Sequence, residues 1–406
     1  VDRESENAGF LTYDSIPREI RSAFQRDVPK VIPEDLTETH LPPNKPDWNS
    51  RPYAAELVSA NLIGSWDEKS QADIDVIEKL SGEKYPVWIS KIREILLQQE
   101  SPISLKNGIW RITERKDLWK TLGVRLFDNN LDAFKQCVVS VLTERDPQFD
   151  LPPEERYAAS IHGKVLKHSV YIRKGFAESL SLIGGQSSAL GNCSLGKSEA
   201  TTILAVREIF KDADWVIFGS LNNLLPQLAE AAPKEFLNAV ETALKQKPCP
   251  FDLLFAQEGT GAVGGRNYLT GLLWALETLA WDEQFLVPAS VILGELAIHD
   301  PGGNWANRPF NSLTTIFLPW HPQTTASIEK QKVALQTLKK EAPAIAWKLL
   351  IALLPNQHQI TTGAHKPVWR NAIPEDWKKV VTQKEYWEKV SFYADLAVED
   401  AGYEIV

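Results

Sequence analysis

Apolar residues recur at helical spacing along most of this chain. Leu57, Ala60, Leu62 and Ile63 open a buried helix, and Ile74, Val76 and Ile77 give an apolar side to a second over Gln71–Leu80. Trp88, Ile92, Ile95 and Leu96 fall at i, i+4, i+7 and i+8, so Tyr85–Gln98 presents a face wide enough to pack on another helix. Asn107–Ile112 (NGIWRI) is the one stretch that reads as hairpin or strand, and residues 117–145 predict two more helices. Beyond Pro152, amphipathic helices alternate with short loops rich in breakers: Gly184–Asn192, Lys247–Phe251, Glu258–Gly265, His299–Asn304 and Leu354–Gly363. Period-2 alternation is nearly absent, so the expected class is all-α, with antiparallel neighbours joined by short loops.

Before Tyr53 the pattern differs. Residues 1–52 hold seven prolines (Pro17, Pro29, Pro33, Pro42, Pro43, Pro46 and Pro52), each a barrier to helix continuation. One short helix near Arg18–Arg26 and an extended Pro-rich arm are expected there. The organisation predicted is an arm or linker over 1–52, a helical subdomain over 53–150 and a helical-repeat domain over 151–406.

An internal echo supports the repeat. Leu225-x-x-Leu228-x-x-x-Ala232-Pro233 returns as Leu335-x-x-Leu338-x-x-x-Ala342-Pro343, and Val240 and Leu244 align with Leu350 and Leu354. Each copy predicts a helix, a tight turn and a second helix opening on Pro, whose missing N–H has no partner in a first turn anyway. Such a hairpin cannot bury its leucine stripe alone. Stacked hairpins can, which predicts an α-hairpin repeat solenoid of the HEAT or TPR kind; two amphipathic helix pairs matching by chance is the alternative.

Composition narrows the function classes. The chain carries 44 Lys+Arg against 53 Asp+Glu, a net charge of −9, which argues against a dedicated nucleic-acid binder. No apolar run approaches the roughly 18 residues of a membrane span. The polar, acidic start VDRESENAGF is not a signal peptide, and Cys137, Cys193 and Cys249, odd in number and widely spaced, fit a reducing cytoplasm and neither a disulfide framework nor a zinc site. The chain begins with Val and has no Met, which suggests a piece excised from a larger protein.

Motifs for chemistry are few. Gly191-Asn-Cys-Ser-Leu-Gly196-Lys197-Ser198 matches the phosphate-loop pattern G-x-x-x-x-G-K-[ST], but such a loop needs a buried strand before it. Residues 178–183 read instead as the end of a helix starting near Tyr171, and a Gly-Ser connection between two helices is the plainer reading. Glu258–Tyr268 is glycine-rich without the strand–loop–helix order of a dinucleotide cradle. The seven histidines (His40, His162, His168, His299, His321, His358 and His365) show no metal spacing, and no nucleophile elbow is present. No cofactor, metal or catalytic residue is therefore expected. One polar-aromatic set remains: Asn304, Trp305, Asn307, Arg308, His321, His365, Lys366 and Arg370 lie at loops or helix starts and form a candidate partner-binding ridge. The alternative is that the amides cap helices and the tryptophans pack between layers, since 14 tryptophans exceed what one interface uses.

With HDPGGNWANRPFNSLTTIFLPWHPQT, TGLLWALETLAWD, LLPNQHQITTGAHKPVWR and LPPEERYAASIHGKVLKHS in view, the chain resembles the helical region of large bacterial STAND-type NTPase antiphage defence proteins, over most of its length. The resemblance implies a segment lying after the NTPase, in the helical sensor part. No catalytic residue of that family maps onto this chain. The expected function is a non-enzymatic scaffold or sensor that binds a protein partner or neighbouring domains, with oligomerisation in the parent protein. A phosphate-loop domain using residues 191–198 is one alternative, and a plain structural spacer is the other.

Overall fold

The computed structural model describes residues 47–258, 266–356, 360–377 and 381–401. The predicted helix at 18–26, His40, His358 and most of the glycine-rich loop after Glu258 lie outside the described residues.

Helix starts follow local chemistry. Ser70, Ser169, Asp214 and Ser327 each accept a backbone N–H of the first turn through the side chain, satisfying a donor the helix cannot. The helices that follow are mostly long and well formed. In chain order the elements are α1 (Ala54–Ile63), β1 (Ser65–Asp67), α2 (Gln71–Ser81), α3 (Tyr85–Leu96), β2 (Ile103–Lys106), β3 (Ile109–Ile112), α4 (Arg115–Leu122), α5 (Asp128–Leu142), α6 (Val170–Gly185), α7 (Lys197–Ile209) and α8 (Trp215–Ser220). The order continues with α9 (Leu225–Ala231), α10 (Pro233–Leu244), α11 (Pro250–Phe255), α12 (Thr270–Ala280), α13 (Leu286–His299), α14 (Pro309–Phe317), α15 (Ile328–Glu341), α16 (Pro343–Leu353) and α17 (Gln383–Ala401). No helix among the described residues is long and apolar enough to cross a membrane.

The protein is mostly helical, with one departure from an all-α chain. A three-stranded antiparallel sheet of order β1-β3-β2 occupies the N-terminal part. The NGIWRI segment is its central strand, entered through a tight turn in which Asn107 (φ 56°) and Gly108 (φ 83°) are both left-handed. Its second partner, β1, comes from over 40 positions upstream and is three residues long, too short to show a period. Trp66 stacks on Trp110 at 5.7 Å and leans on Trp88 at 5.3 Å, so the sheet is fixed to α3 by aromatic packing.

The helices lie in two rows. In one, α1, α6, α9, α12, α14 and α16 pack each on the next; in the other, α5, α7, α10, α13 and α15 do the same. Rungs join the rows, including α6 with α7, α9 with α10, α12 with α13 and α15 with α16. Close approach along α6 needs glycine. A Cβ on Gly175 would stand 2.1 Å from the Ile63 carbonyl, and one on Gly184 2.0 Å from that of Ala231.

The two copies of the leucine motif adopt one geometry. Ala232 (φ −145°, ψ 80°) and Ala342 (φ −137°, ψ 68°) end one helix and start the next, and each donates its N–H to the leucine four residues back. Leu225, Leu228, Leu335 and Leu338 are all buried. The apolar core runs unbroken from Trp48 to Ala397, so the last residues assigned to the arm already belong to the folded unit that starts at Asp47.

Candidate functional site

The N-terminal halves of α6, α9 and α12 face an open cleft of about 950 Å³. Tyr171 and Lys174 come from the first turns of α6, Thr270 and Trp274 from α12, and Asn222, Asn223 and Gln227 from the turn into α9. Arg111 of β3 and the loop residues Arg266 and Trp305 complete the rim. Trp274 and Trp305 are 40% and 37% exposed.

The charges of this lining are unequally committed. Asp146 accepts the Gln148 backbone N–H at 2.9 Å, and Glu178 is held by Arg115 at 2.8 Å. Arg173 is buried and donates to the carbonyls of Val141 and Ser220 at 2.6 and 3.3 Å. Lys174 sits 3.8 Å from Glu178. Arg111 and Arg266 carry no ion pair among the described residues; Arg111 lies over the Tyr171 ring at 5.4 Å. Gln227 leaves a buried Oε1 without a donor. The acids are occupied internally while two guanidiniums and two indoles are presented, a combination suited to acidic and aromatic groups.

The C-terminal halves of the same helices are covered by an extended strap, residues 360–377. It is held through its main chain. Glu230 of α9 accepts the N–H groups of Val368, Trp369 and Arg370 at 3.0, 2.7 and 2.8 Å. Glu277 of α12 accepts His365 N–H at 2.7 Å and the Ser312 hydroxyl at 2.6 Å. Gln186 donates to the Trp369 carbonyl and Trp281 Nε1 to that of His365, at 3.1 and 3.0 Å. Burial pushes both Glu230 and Glu277 above the usual carboxylate range, and the donors pull back toward the charged form.

The predicted ridge divides among these features. Trp305 is on the cleft rim, and Asn304 is exposed beside it. Asn307 donates to Thr270 Oγ1 at 3.2 Å and accepts Asn267 Nδ2 at 3.0 Å. His365 stacks on Trp274 at 5.3 Å and bonds Thr278 Oγ1 at 2.9 Å, which carries the strap to the cleft edge. Lys366 lies over Trp281, Arg370 is anchored on α9, and His321 stacks on Trp320 and accepts Gln323 Nε2 on its carbonyl, while Gln323 Oε1 accepts the strap's Ala364 N–H. Arg308 departs from the expectation: it is buried, held by Glu258 at 2.6 Å and Asp300 at 2.9 Å, because a guanidinium placed there has two carboxylates within reach. The ridge is thus a strap and a rim, with Arg308 inside. Arg111, Lys174, Gln227, Glu230, Arg266 and Glu277 were not legible as a group, since they come from separate segments.

The phosphate-loop pattern lacks its strand: α6 and a 3-10 turn at Ser187–Ala189 precede residues 191–198, and Lys197 Nζ is paired with Asp132 at 2.7 Å. Ser194 gives its N–H and hydroxyl to Asp128 at 2.8 and 2.6 Å, so a carboxylate takes the donors a phosphate would need.

A second cluster joins residues far apart in sequence. Cys249 caps α11, Asp252 follows in its first turn, and His299 ends α13; their ligand atoms lie within 4.8 Å of one another. His299 Nδ1 and Asp252 Oδ1 are hydrogen-bonded at 2.6 Å. The same residue types could make a thiol nucleophile with its base, but Cys249 is 5% exposed and burial raises its thiol, the opposite of activation. No protein-family model matches the chain, and no curated protein or solved structure matches it.

Proposed function

We propose that this unit is a helical-repeat recognition module, a solenoid of α-hairpins, that binds a protein partner as an extended acidic and aromatic segment in the cleft. On the resemblance noted above, its setting is the sensor region of a cytoplasmic bacterial STAND-type antiphage protein, without catalysis of its own. Binding the partner there shifts attached domains toward their assembled, active form.

One observation carries the reading. The strap is itself an extended segment bound on the first-row helices by main-chain hydrogen bonds to Glu230, Glu277 and Gln186. The cleft lies on the same helices and differs in its chemistry: it presents the Arg111 and Arg266 guanidiniums and the Trp274 and Trp305 indoles, which suit acidic and aromatic side chains of such a segment. The net charge of −9 makes a nucleic acid the poorer guest.

The test is a phage challenge of cells producing the full-length parent protein. Arg111→Glu with Arg266→Glu reverses the cleft's charge at two exposed positions and should reduce protection by at least about tenfold, the equivalent of ~1.4 kcal/mol of lost recognition. The exposed Lys211→Glu, away from the lining, should leave it intact. Full protection by the double variant would reduce the module to a spacer.

A further inference from the structure

We propose that Cys249, Asp252 and His299 form a binding site for one divalent transition-metal ion of the zinc class. The fold builds the site from two elements. α11 packs on α13, which sets the cap residue Cys249 and the first-turn Asp252 against the last residue of α13. With bonds of about 2.0–2.3 Å, tetrahedral zinc needs its ligand atoms roughly 3.5 Å apart. Ligand atoms already within 4.8 Å reach that by small side-chain adjustments.

The donor set selects the class of ion. One sulfur, one imidazole nitrogen and one carboxylate oxygen suit zinc or cobalt and disfavour magnesium and calcium, which take oxygen alone. His299 Nδ1 and Asp252 Oδ1 are 2.6 Å apart, so an ion placed between them displaces the proton of that hydrogen bond, which leaves to solvent from a charged ring or is carried on Nε2 of a neutral one. The Cys249 thiol gives up its proton to solvent as the sulfur binds. Cys249 forms the buried floor, whereas the side chains of Asp252 and His299 are 50% and 30% exposed. That leaves a route for the ion and a fourth position for water.

The surroundings favour a cation. Glu295 lies one helical turn before His299 on α13; burial first, then the charge of Glu241, hold its carboxyl above the usual range, with Lys245 and His299 opposing, and a cation beside it would favour its charged form. Arg308 is paired with Asp300, the residue after His299, and with Glu258, so its charge is matched.

The experiment is cobalt titration of the intact chain under reducing conditions. One equivalent should produce the visible absorption of a tetrahedral site with a thiolate-to-cobalt band, and zinc should abolish both. Cys249→Ser should lose the thiolate band, and His299→Gln should weaken cobalt binding at least about tenfold. Because Cys249 is buried, His299→Gln is the variant expected to keep the fold, checked by an unchanged circular dichroism spectrum. A zinc-dependent rise in melting temperature should be present in the wild type and absent in that variant. No cobalt spectrum in the wild type, or an undiminished one in His299→Gln, overturns the proposal.

Discussion

At the scale of single residues, the interior holds several charges whose state depends on their surroundings. Lys389 of α17 is 4% exposed, and burial lowers its ammonium to about 8 from 10.5, with Glu385 and Glu388 opposing. The sign follows from linkage. Below about 8 both folded and unfolded chains carry the proton, and the folded state bears the full cost of a buried charge. As pH rises from about 8 to 10.5 the folded chain releases it first, and the cost fades. Lys389→Met should therefore stabilise the protein near neutrality, by on the order of 3 kcal/mol, with the advantage shrinking steadily above pH 8. Denaturation of both proteins across that range measures it. A gap that does not change with pH would place the Lys389 ammonium in water.

At the scale of elements, what was readable depends on whether an element carries its own signal. The helices over 71–81 and 85–96 show apolar positions at helical pitch, and Asn107-Gly108 announces its turn. The two Leu-Ala-Pro corners were visible because each is a local rule repeated: a stripe, an alanine that leaves helical geometry, a proline that starts the next helix. The strap was not visible. Its stretch holds prolines and glycine and reads as a loop, and what orders it is two glutamates more than 80 residues upstream. Glu230 alone takes three of its N–H groups. Glu230→Ala should release residues 368–370, with faster hydrogen exchange at those amides and a loss of about 2–3 kcal/mol in global stability. Exchange rates equal to the wild type's would mean that side-chain packing, not the carboxylate, holds the strap. The cleft and the Cys249 cluster escaped for a related reason: their members are assembled from separate segments, and each looks ordinary in its own.

At the scale of the whole molecule, α6 decides how far the chain divides. Its buried residues face both ways: Gly175 and Ser179 meet α1, whereas Ser181 donates to the Gln227 carbonyl and Gly184 lies against Ala231, both of α9. Arg115, brought by α4, is 7% exposed and ties the same region together. It donates to the Gly175 carbonyl at 3.1 Å, to Glu178 at 2.8 Å and to the Asn61 carbonyl at 2.6 Å. Asp73 of α2 reaches across to accept the Ser169 N–H at 2.9 Å, just where α6 begins. Residues 151–406 on their own would thus leave one side of α6 in water and Glu178 without its guanidinium. That fragment should lose the near-ultraviolet dichroism of its packed aromatics and bind a hydrophobic dye while staying helical, and Arg115→Ala in the intact chain should cost about 3–5 kcal/mol. A fragment with native dichroism and a cooperative melt would show instead that the contacts of α6 with α7 and α9 suffice. The cleft wall includes both β3 and α12, so it spans the two sides of α6; a ligand that bridges two parts of one cooperative core biases that core as a whole.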